Sequence, residues 1–125
     1  MVEFKSSDNG ATISFSAIGS SSDGTEFYFE VKTPFGSAKI LSSTYFNGSP
    51  AQLFKSMATD WRGWSGEKVW SDLESSVILS ARSDSIGHTK LKVKLTDYES
   101  SFETVIIFEA GQLERMANEI ATHLP

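Results

Sequence analysis

Apolar and polar residues alternate with a period of two through most of the first 45 residues. The apolar positions of three such segments are Ile13, Phe15 and Ala17, then Phe27, Phe29 and Val31, then Ala38 and Ile40. Successive side chains of a strand point to opposite faces, so each segment predicts a strand with one buried face. The polar segments Ser20–Gly24 and Thr33–Gly36 separate the strands as turns. Together they predict an antiparallel meander of three strands.

A helical period follows this meander. Ser49, Pro50 and Gln52 form a typical helix start, with a capping serine, a proline at the first helical position and a Ser-x-x-Gln capping box. Apolar residues then fall at spacings of three and four, at Leu53, Phe54, Met57, Ala58 and Trp61. The pattern predicts a helix that buries this stripe, with Trp61 in the core. Gly63 is the predicted stop.

The same order of patterns returns after a connector that contains Trp64 and Trp70. Alternating apolar positions occur at Val77, Leu79 and Ala81, at Leu91, Val93 and Leu95, and from Phe102 to Phe108. The last of these segments is apolar on both faces, which favours a central strand or one covered on both sides. A second helix is predicted from an apolar stripe at Leu113, Met116, Ala117, Ile120, Ala121 and Leu124.

These elements predict an α+β fold in a single domain, residues 1–125. The expected architecture is one antiparallel sheet of about six or seven strands, in the order βββα-βββα, with both helices packed on one face. The two halves share no evident sequence identity. An internal duplication and a chance repetition of a common strand-and-helix order therefore both remain open. The opposite face of the sheet would display charged residues at Glu26, Glu30, Lys32, Lys90, Lys92 and Lys94.

Composition narrows the classes of function. The chain has no cysteine, which excludes disulfides, thiolate zinc sites and cysteine nucleophiles. A net charge of −5 disfavours nucleic acid as a partner and suits a basic protein, although mild acidity also serves solubility. No apolar stretch reaches the ~18 residues that span a bilayer. With no signal-peptide pattern at Met1–Ser6 either, the expectation is a cytoplasmic protein without membrane contact.

Candidate chemistry is sparse. Asp84 and His88 could form a base and its orienting carboxylate in a hydrolase, but the alternative of a histidine bonded within a hairpin turn is simpler. His123 lies in the last turn of the final helix, where a cationic ring complements the helix dipole, and a structural or inconsequential role is expected. We therefore predict a protein without catalytic residues, metal site or cofactor, and hence not an enzyme.

All three tryptophans lie within ten positions, from Trp61 to Trp70. Tryptophan serves both in cores and as an anchor at binding surfaces. Trp64 stands among glycines, where exposure is expected, and Trp70 could cap the sheet beside Leu73. The candidate binding residues are Trp64, Glu67, Trp70, Asp84 and His88.

The segment Trp61–Gly66 reads Trp-Arg-Gly-Trp-Ser-Gly, and Leu73-Glu74, Gly87-His88 and the closing helix follow in order. This arrangement resembles a bacterial family of small domains of unknown function that carries a Trp-Arg-Gly-Trp-x-Gly signature. It is more distantly similar to the WapI-type immunity proteins, although Glu109–Leu113 departs from the Asp-Gln pair typical of them. The resemblance implies neutralisation of a cognate toxin in the producing cell, and it supplies no catalytic residues.

Two hypotheses for function remain beside the hydrolase. The first is a non-enzymatic binding protein, with an immunity protein as its specific form and a basic toxin as the partner. The second is a small-ligand-binding domain that uses the Trp-rich connector and the sheet face. A homodimer that pairs through the charged sheet face is also left open.

Overall fold

The strands of the computed structural model, which describes residues 1–125, form two antiparallel sheets rather than one. The first sheet contains β1 (Val2–Lys5), β2 (Thr12–Ser21), β3 (Gly24–Thr33) and β4 (Gly36–Ser43), followed by α1 (Ala51–Thr59). The second contains β5 (Lys68–Ser71), β6 (Val77–Ser83), β7 (His88–Asp97) and β8 (Ser100–Glu109), followed by α2 (Leu113–His123). The α+β class is confirmed, whereas the single sheet and the βββα-βββα order are wrong.

The predicted order is wrong because the sequence pattern did not reveal β1 and β5, which have only four residues each. β1 is held by its pairing with β2, in which Val2 lies opposite Phe15. β5 lies inside the Trp-rich connector, and its Trp70 lies opposite Leu79 of β6. Strands this short carry almost no alternation of their own, so their pairing partners define them.

The inner faces of both sheets and one side of each helix meet in one hydrophobic core. Phe4 of β1 lies 6.5 Å from Phe108 of β8 between ring centroids, and Phe27 of β3 lies 6.3 Å from Trp70 of β5. Phe54 of α1 packs 5.3 Å from Phe4. These rings join the two halves of the chain, so neither sheet has a core of its own.

The predicted charged face is divided between the sheets. Glu26, Glu30 and Lys32 lie on β3, whose other face is buried in the first sheet. Lys90, Lys92 and Lys94 lie on β7, whose other face is buried in the second sheet. Each set therefore covers the outer face of a different sheet. No common face carries all six residues.

β8 is the last strand of its sheet, and Val105 on its outer face is 38% exposed, so the prediction of a strand that is central or covered on both sides is wrong. The loop after β1 bonds to its outer edge. The Ser7 amide donates to the Ile107 carbonyl at 2.7 Å, and the Ile107 amide donates to Ser6 Oγ at 3.1 Å. Asn9 Nδ2 donates to the Val105 carbonyl at 2.8 Å. The loop thus satisfies edge groups that would otherwise be open to pairing with another chain.

Both predicted helices are present. Ser49 Oγ accepts the Ala51 amide at 3.0 Å and donates to the Leu124 carbonyl, so it ties the start of α1 to the end of α2. The buried side of α2 is formed by Leu113, Met116, Ala117 and Ile120. Ala121, predicted on the same stripe, is exposed. Neither helix combines the length and apolarity that crossing a membrane requires.

Candidate functional site

Trp61 is exposed, contrary to its predicted place in the core. α1 ends at Thr59, two residues before Trp61, so the chain leaves the helical stripe before this side chain can follow it. The ring is 53% exposed, and the Arg62 guanidinium lies 5.0 Å from its centroid. The apolar spacing in the sequence therefore continues two residues beyond the end of the helix.

Trp64 is half-buried rather than exposed, and it packs against the core. Its Nε1 donates to the Ala81 carbonyl at 3.2 Å, while Lys68 Nζ lies 5.2 Å from its ring centroid. Glu67, nearby in sequence, forms an ion pair of 2.8 Å with Arg82. The structure thus brings Trp64 and Glu67 to β6, where both are engaged by groups of the chain itself.

Trp70 is a core residue. Only 5% of it is exposed, and its Nε1 donates to the Gly48 carbonyl at 3.1 Å. Its ring packs near Phe27, as described above. A side chain this enclosed offers little surface to a partner.

Asp84 and His88 meet in the hairpin between β6 and β7. Asp84 Oδ1 accepts the backbone amides of His88 and Ile86, both at 2.9 Å. The hydrogen bond from the His88 amide is the main cause that holds the pKa of Asp84 below its usual value. Desolvation opposes it, and the Ile86 amide and the His88 imidazole lower the pKa further. The carboxylate therefore closes this turn.

The His88 ring lies between two carboxylates. Its Nδ1 is 3.3 Å from Asp84 Oδ2, and its Nε2 is 3.1 Å from Glu109 Oε1. Glu109 also forms a capping box with Gln112, in which its own amide donates to Gln112 Oε1 at 2.8 Å, so the contact joins the hairpin to the start of α2. Both ring nitrogens therefore face carboxylates of the chain itself. The carboxylates approach opposite sides of the ring, so they do not converge on one metal ion.

A surface that the sequence did not indicate lies where β4 meets the turn between β5 and β6. Three large apolar residues are about half exposed there, Leu41 at 44%, Tyr45 at 49% and Leu73 at 50%. With Glu26 and Glu74 they line an open pocket of about 300 Å³. We call these five residues the acidic–apolar patch. The sequence singled out Leu73 and Glu74 as a pair. Their neighbours Glu26, Leu41 and Tyr45, however, lie about 30 or more residues earlier in the chain.

Buried Asp72 fixes the geometry of this patch. Its Oδ2 accepts the hydroxyls of Ser42, at 2.7 Å, and of Ser76. Its Oδ1 accepts the Ser76 amide at 2.8 Å and the Val77 amide at 3.3 Å. Because Ser42 lies on β4, the carboxylate ties the first sheet to the turn that carries Leu73.

Comparison with known proteins gives a family. No curated protein is significantly similar to the chain in sequence. Residues 4–125 match the model of the Family of unknown function (DUF6228), and this range includes both helices and nearly all of both sheets. The chain therefore belongs to the Family of unknown function (DUF6228).

Proposed function

We propose that this protein is a non-enzymatic binding protein that holds a basic protein partner on its acidic–apolar patch. The observation that carries the proposal is the grouping of three half-exposed apolar side chains with two carboxylates around one pocket. Single exposed apolar residues are ordinary, but a group with a charged rim is typical of a protein interface.

The charges of the patch favour a basic partner. Glu26 and Glu74 form no ion pair within the chain, in contrast to Glu67 and Glu103. Unpaired carboxylates beside an apolar centre attract lysine and arginine side chains and orient them during encounter. Tyr45 supplies an aromatic side chain of the kind that carries much of the binding energy at interfaces.

The patch is also held in place before any partner arrives. The hydrogen bonds of Asp72 link the two parts of the chain that form it, and Ser75 in the same turn has a positive φ of 59°. A preformed surface loses less conformational entropy on binding than a flexible one, so more of the contact energy appears as affinity.

The partner we propose is a cognate bacterial toxin, neutralised inside the producing cell. The order of Leu73-Glu74, Gly87-His88 and a closing helix, in which the chain resembles WapI-type immunity proteins, supports this form of the proposal. The binding surface moves, however, from the residues suggested by sequence to the acidic–apolar patch. Trp70 is buried, and Glu67, Asp84 and His88 already bind groups of the chain itself.

Co-expression with a basic toxin, where one is encoded beside this protein, tests the proposal. We expect the two to purify as a complex and the producing cells to survive. Tyr45→Ala with Leu73→Ala should raise Kd by about 30-fold or more, the effect of losing one interface hot spot. Phe35→Ala, fully exposed at the other end of β4, is the matched control and should leave Kd unchanged. Absence of a complex, or equal Kd values for all variants, would contradict the proposal.

A small-ligand-binding domain is the second candidate. A depression of about 540 Å³ between α1 and β5 supports it, with a lining that includes Gln52, Ser56, Lys68 and Trp70. Trp64 and His88 do not contribute to it, so the ligand would bind beside the connector rather than in it. Titration with a mixture of small metabolites, followed by NMR, should shift the Gln52 and Lys68 signals first. Unchanged spectra would remove this candidate.

A further inference from the structure

The outer face of the second sheet carries a row of positive charge on a protein whose net charge is −5. Lys90, Lys92 and Lys94 are exposed on β7, and Arg82 lies opposite Lys90 on β6. Alternate residues of an antiparallel strand are about 6.8 Å apart, so the three lysine side chains leave the strand at regular intervals. We call these four residues the cationic row.

The chain neutralises only part of this row. Arg82 pairs with Glu67 at 2.8 Å, and Lys92 pairs with Glu103 at 3.3 Å. Lys90 and Lys94 form no ion pair, although Lys94 lies opposite Glu103 in the sheet register. Lys90 and Lys94 thus remain unpaired, and all four cations of the row are exposed to solvent.

Aliphatic side chains border the row on both sides. Val105 and Ile107 of β8 lie opposite Lys92 and Lys90, and Ile78 of β6 lies opposite Lys94. Val105 is 38% exposed, and Ile78 and Ile107 are half-buried. The face therefore offers charge in the middle and apolar contact at its sides, which is the composition of a protein-binding surface rather than of a purely solvated one.

We propose that this face binds an extended acidic segment of a second protein partner, independently of the acidic–apolar patch. Side chains at alternate positions of an extended peptide recur at about 6.8 Å, so glutamates at every second residue match the lysine spacing. Aliphatic residues between them, or at the ends of the segment, would contact Val105 and Ile78. The cationic row thus supplies charge complementarity, and the aliphatic borders supply apolar burial.

A peptide fits this face better than nucleic acid does. The strands place no aromatic ring on it, because Trp70, Phe102 and Phe108 belong to the inner face. Proteins that bind single-stranded nucleic acid stack bases on such rings. The acidic remainder of the chain would also repel a long phosphate backbone.

Fluorescence anisotropy with a fluorescein-labelled peptide of alternating Glu and Val tests this proposal at low salt. We expect binding that weakens as salt is added. The variant Lys90→Gln, Lys92→Gln, Lys94→Gln should weaken binding by about tenfold or more. A control, Lys5→Gln, Lys32→Gln, Lys39→Gln, makes the same charge change in the first sheet and should stay within about twofold of the unmodified protein. Circular dichroism checks that both variants fold.

Three results would overturn the proposal. One is the absence of peptide binding at low salt. Another is equal weakening in both variants, which would mean that only net charge matters. The third is tighter binding of a poly-thymidine oligonucleotide that is lost with the three β7 lysines, which would make nucleic acid the ligand of this face. Because none of these measurements involves the acidic–apolar patch, they leave the toxin proposal untouched.

Discussion

Asp72 is a buried carboxylate whose partners come from two distant parts of the chain. The Ser42 hydroxyl arrives from β4, and the Ser76 hydroxyl and amide come from the following turn. A buried charge is stable only when hydrogen bonds replace the water it has lost. At this position that requirement is met fully, and the same bonds hold the acidic–apolar patch in shape.

Replacing the Asp72 side chain should therefore destabilise the fold. We expect Asp72→Ala to lower the free energy of unfolding by about 3 kcal/mol, because buried hydroxyl and amide donors lose their acceptor. Asp97→Ala, at the exposed end of β7, should change it by less than about 0.5 kcal/mol. Equilibrium unfolding in urea measures both. Similar small effects for the two variants would show that Asp72 does not join the sheets.

His123 accepts a backbone hydrogen bond that links α2 to the first sheet. Its Nε2 accepts the Ala17 amide at 3.0 Å, next to a bulge in β2, so the last turn of α2 is bonded to the first sheet. Burial is the main cause that lowers the pKa of His123, and the positive N-terminus adds to it, while a backbone contact with Phe15 opposes them. Protonation would place a hydrogen where the Ala17 amide now donates.

The fold should accordingly lose stability in mild acid. The unfolded chain has a histidine pKa of about 6.5, above the folded value, so it binds more protons as pH falls. The contribution of His123 is complete above that pH and is lost as pH falls through the folded pKa. From pH about 7.5 to about 5.5, His123→Gln should lose less unfolding free energy than the unmodified protein. Parallel pH profiles, measured by urea unfolding, would contradict this assignment.

At the scale of elements, α1 shows how a side chain's place depends on where its helix ends. Phe54 and Trp61 belong to the same apolar stripe in the sequence. The helix ends at Thr59, however, so Phe54 packs against Phe4 and Phe15 while Trp61 turns outward. Lys68 adds to this ending, because its Nζ binds Asp60 at 2.7 Å and Ser56 Oγ at 2.8 Å.

Two substitutions separate these positions. Phe54→Ala should lower the free energy of unfolding by about 3 to 5 kcal/mol, since it removes a buried ring and leaves a cavity. Trp61→Ala should lower it by less than about 1 kcal/mol, because half of that ring is already in water. Thermal or urea denaturation distinguishes the two. A large loss in Trp61→Ala would mean that its ring is buried in solution.

The whole molecule consists of two similar halves that share one core. Each half is a four-stranded antiparallel sheet followed by a helix. Aromatic contacts cross between the halves at Phe4–Phe108 and Phe27–Trp70, and the two helices pack against each other. Each half alone would expose the apolar surface that it now buries against the other.

We therefore expect the halves to fold only together. The separate fragments 1–62 and 63–125 should show disordered circular dichroism and poorly dispersed NMR spectra, because neither encloses a core. The intact chain should unfold in a single cooperative transition with coincident fluorescence and dichroism curves. A fragment that folds alone, or two separate transitions, would show that the halves are independent units.

The sequence by itself determined the elements that are long and strongly periodic. Six strands, β2, β3, β4, β6, β7 and β8, and both helices follow from spacing alone, because a strand or helix with one buried face imposes its period on local residues. The sequence also placed His88 in a hairpin turn and His123 in the last turn of α2, but it did not indicate that His88 contacts Glu109 or that His123 accepts the Ala17 amide. β1 and β5 were missed since four residues cannot display a period.

Only the tertiary structure decided how these elements combine. Periodicity says which side of a strand is buried but not which strands pair, so six pattern-rich strands predicted one sheet where the chain forms two. It also could not tell which tryptophan is core, because Trp70 is buried by neighbours distant in sequence, whereas Trp61 is exposed since α1 ends at Thr59. The acidic–apolar patch forms for the same physical reason. Its residues become neighbours only when β4 packs beside the turn that Asp72 holds.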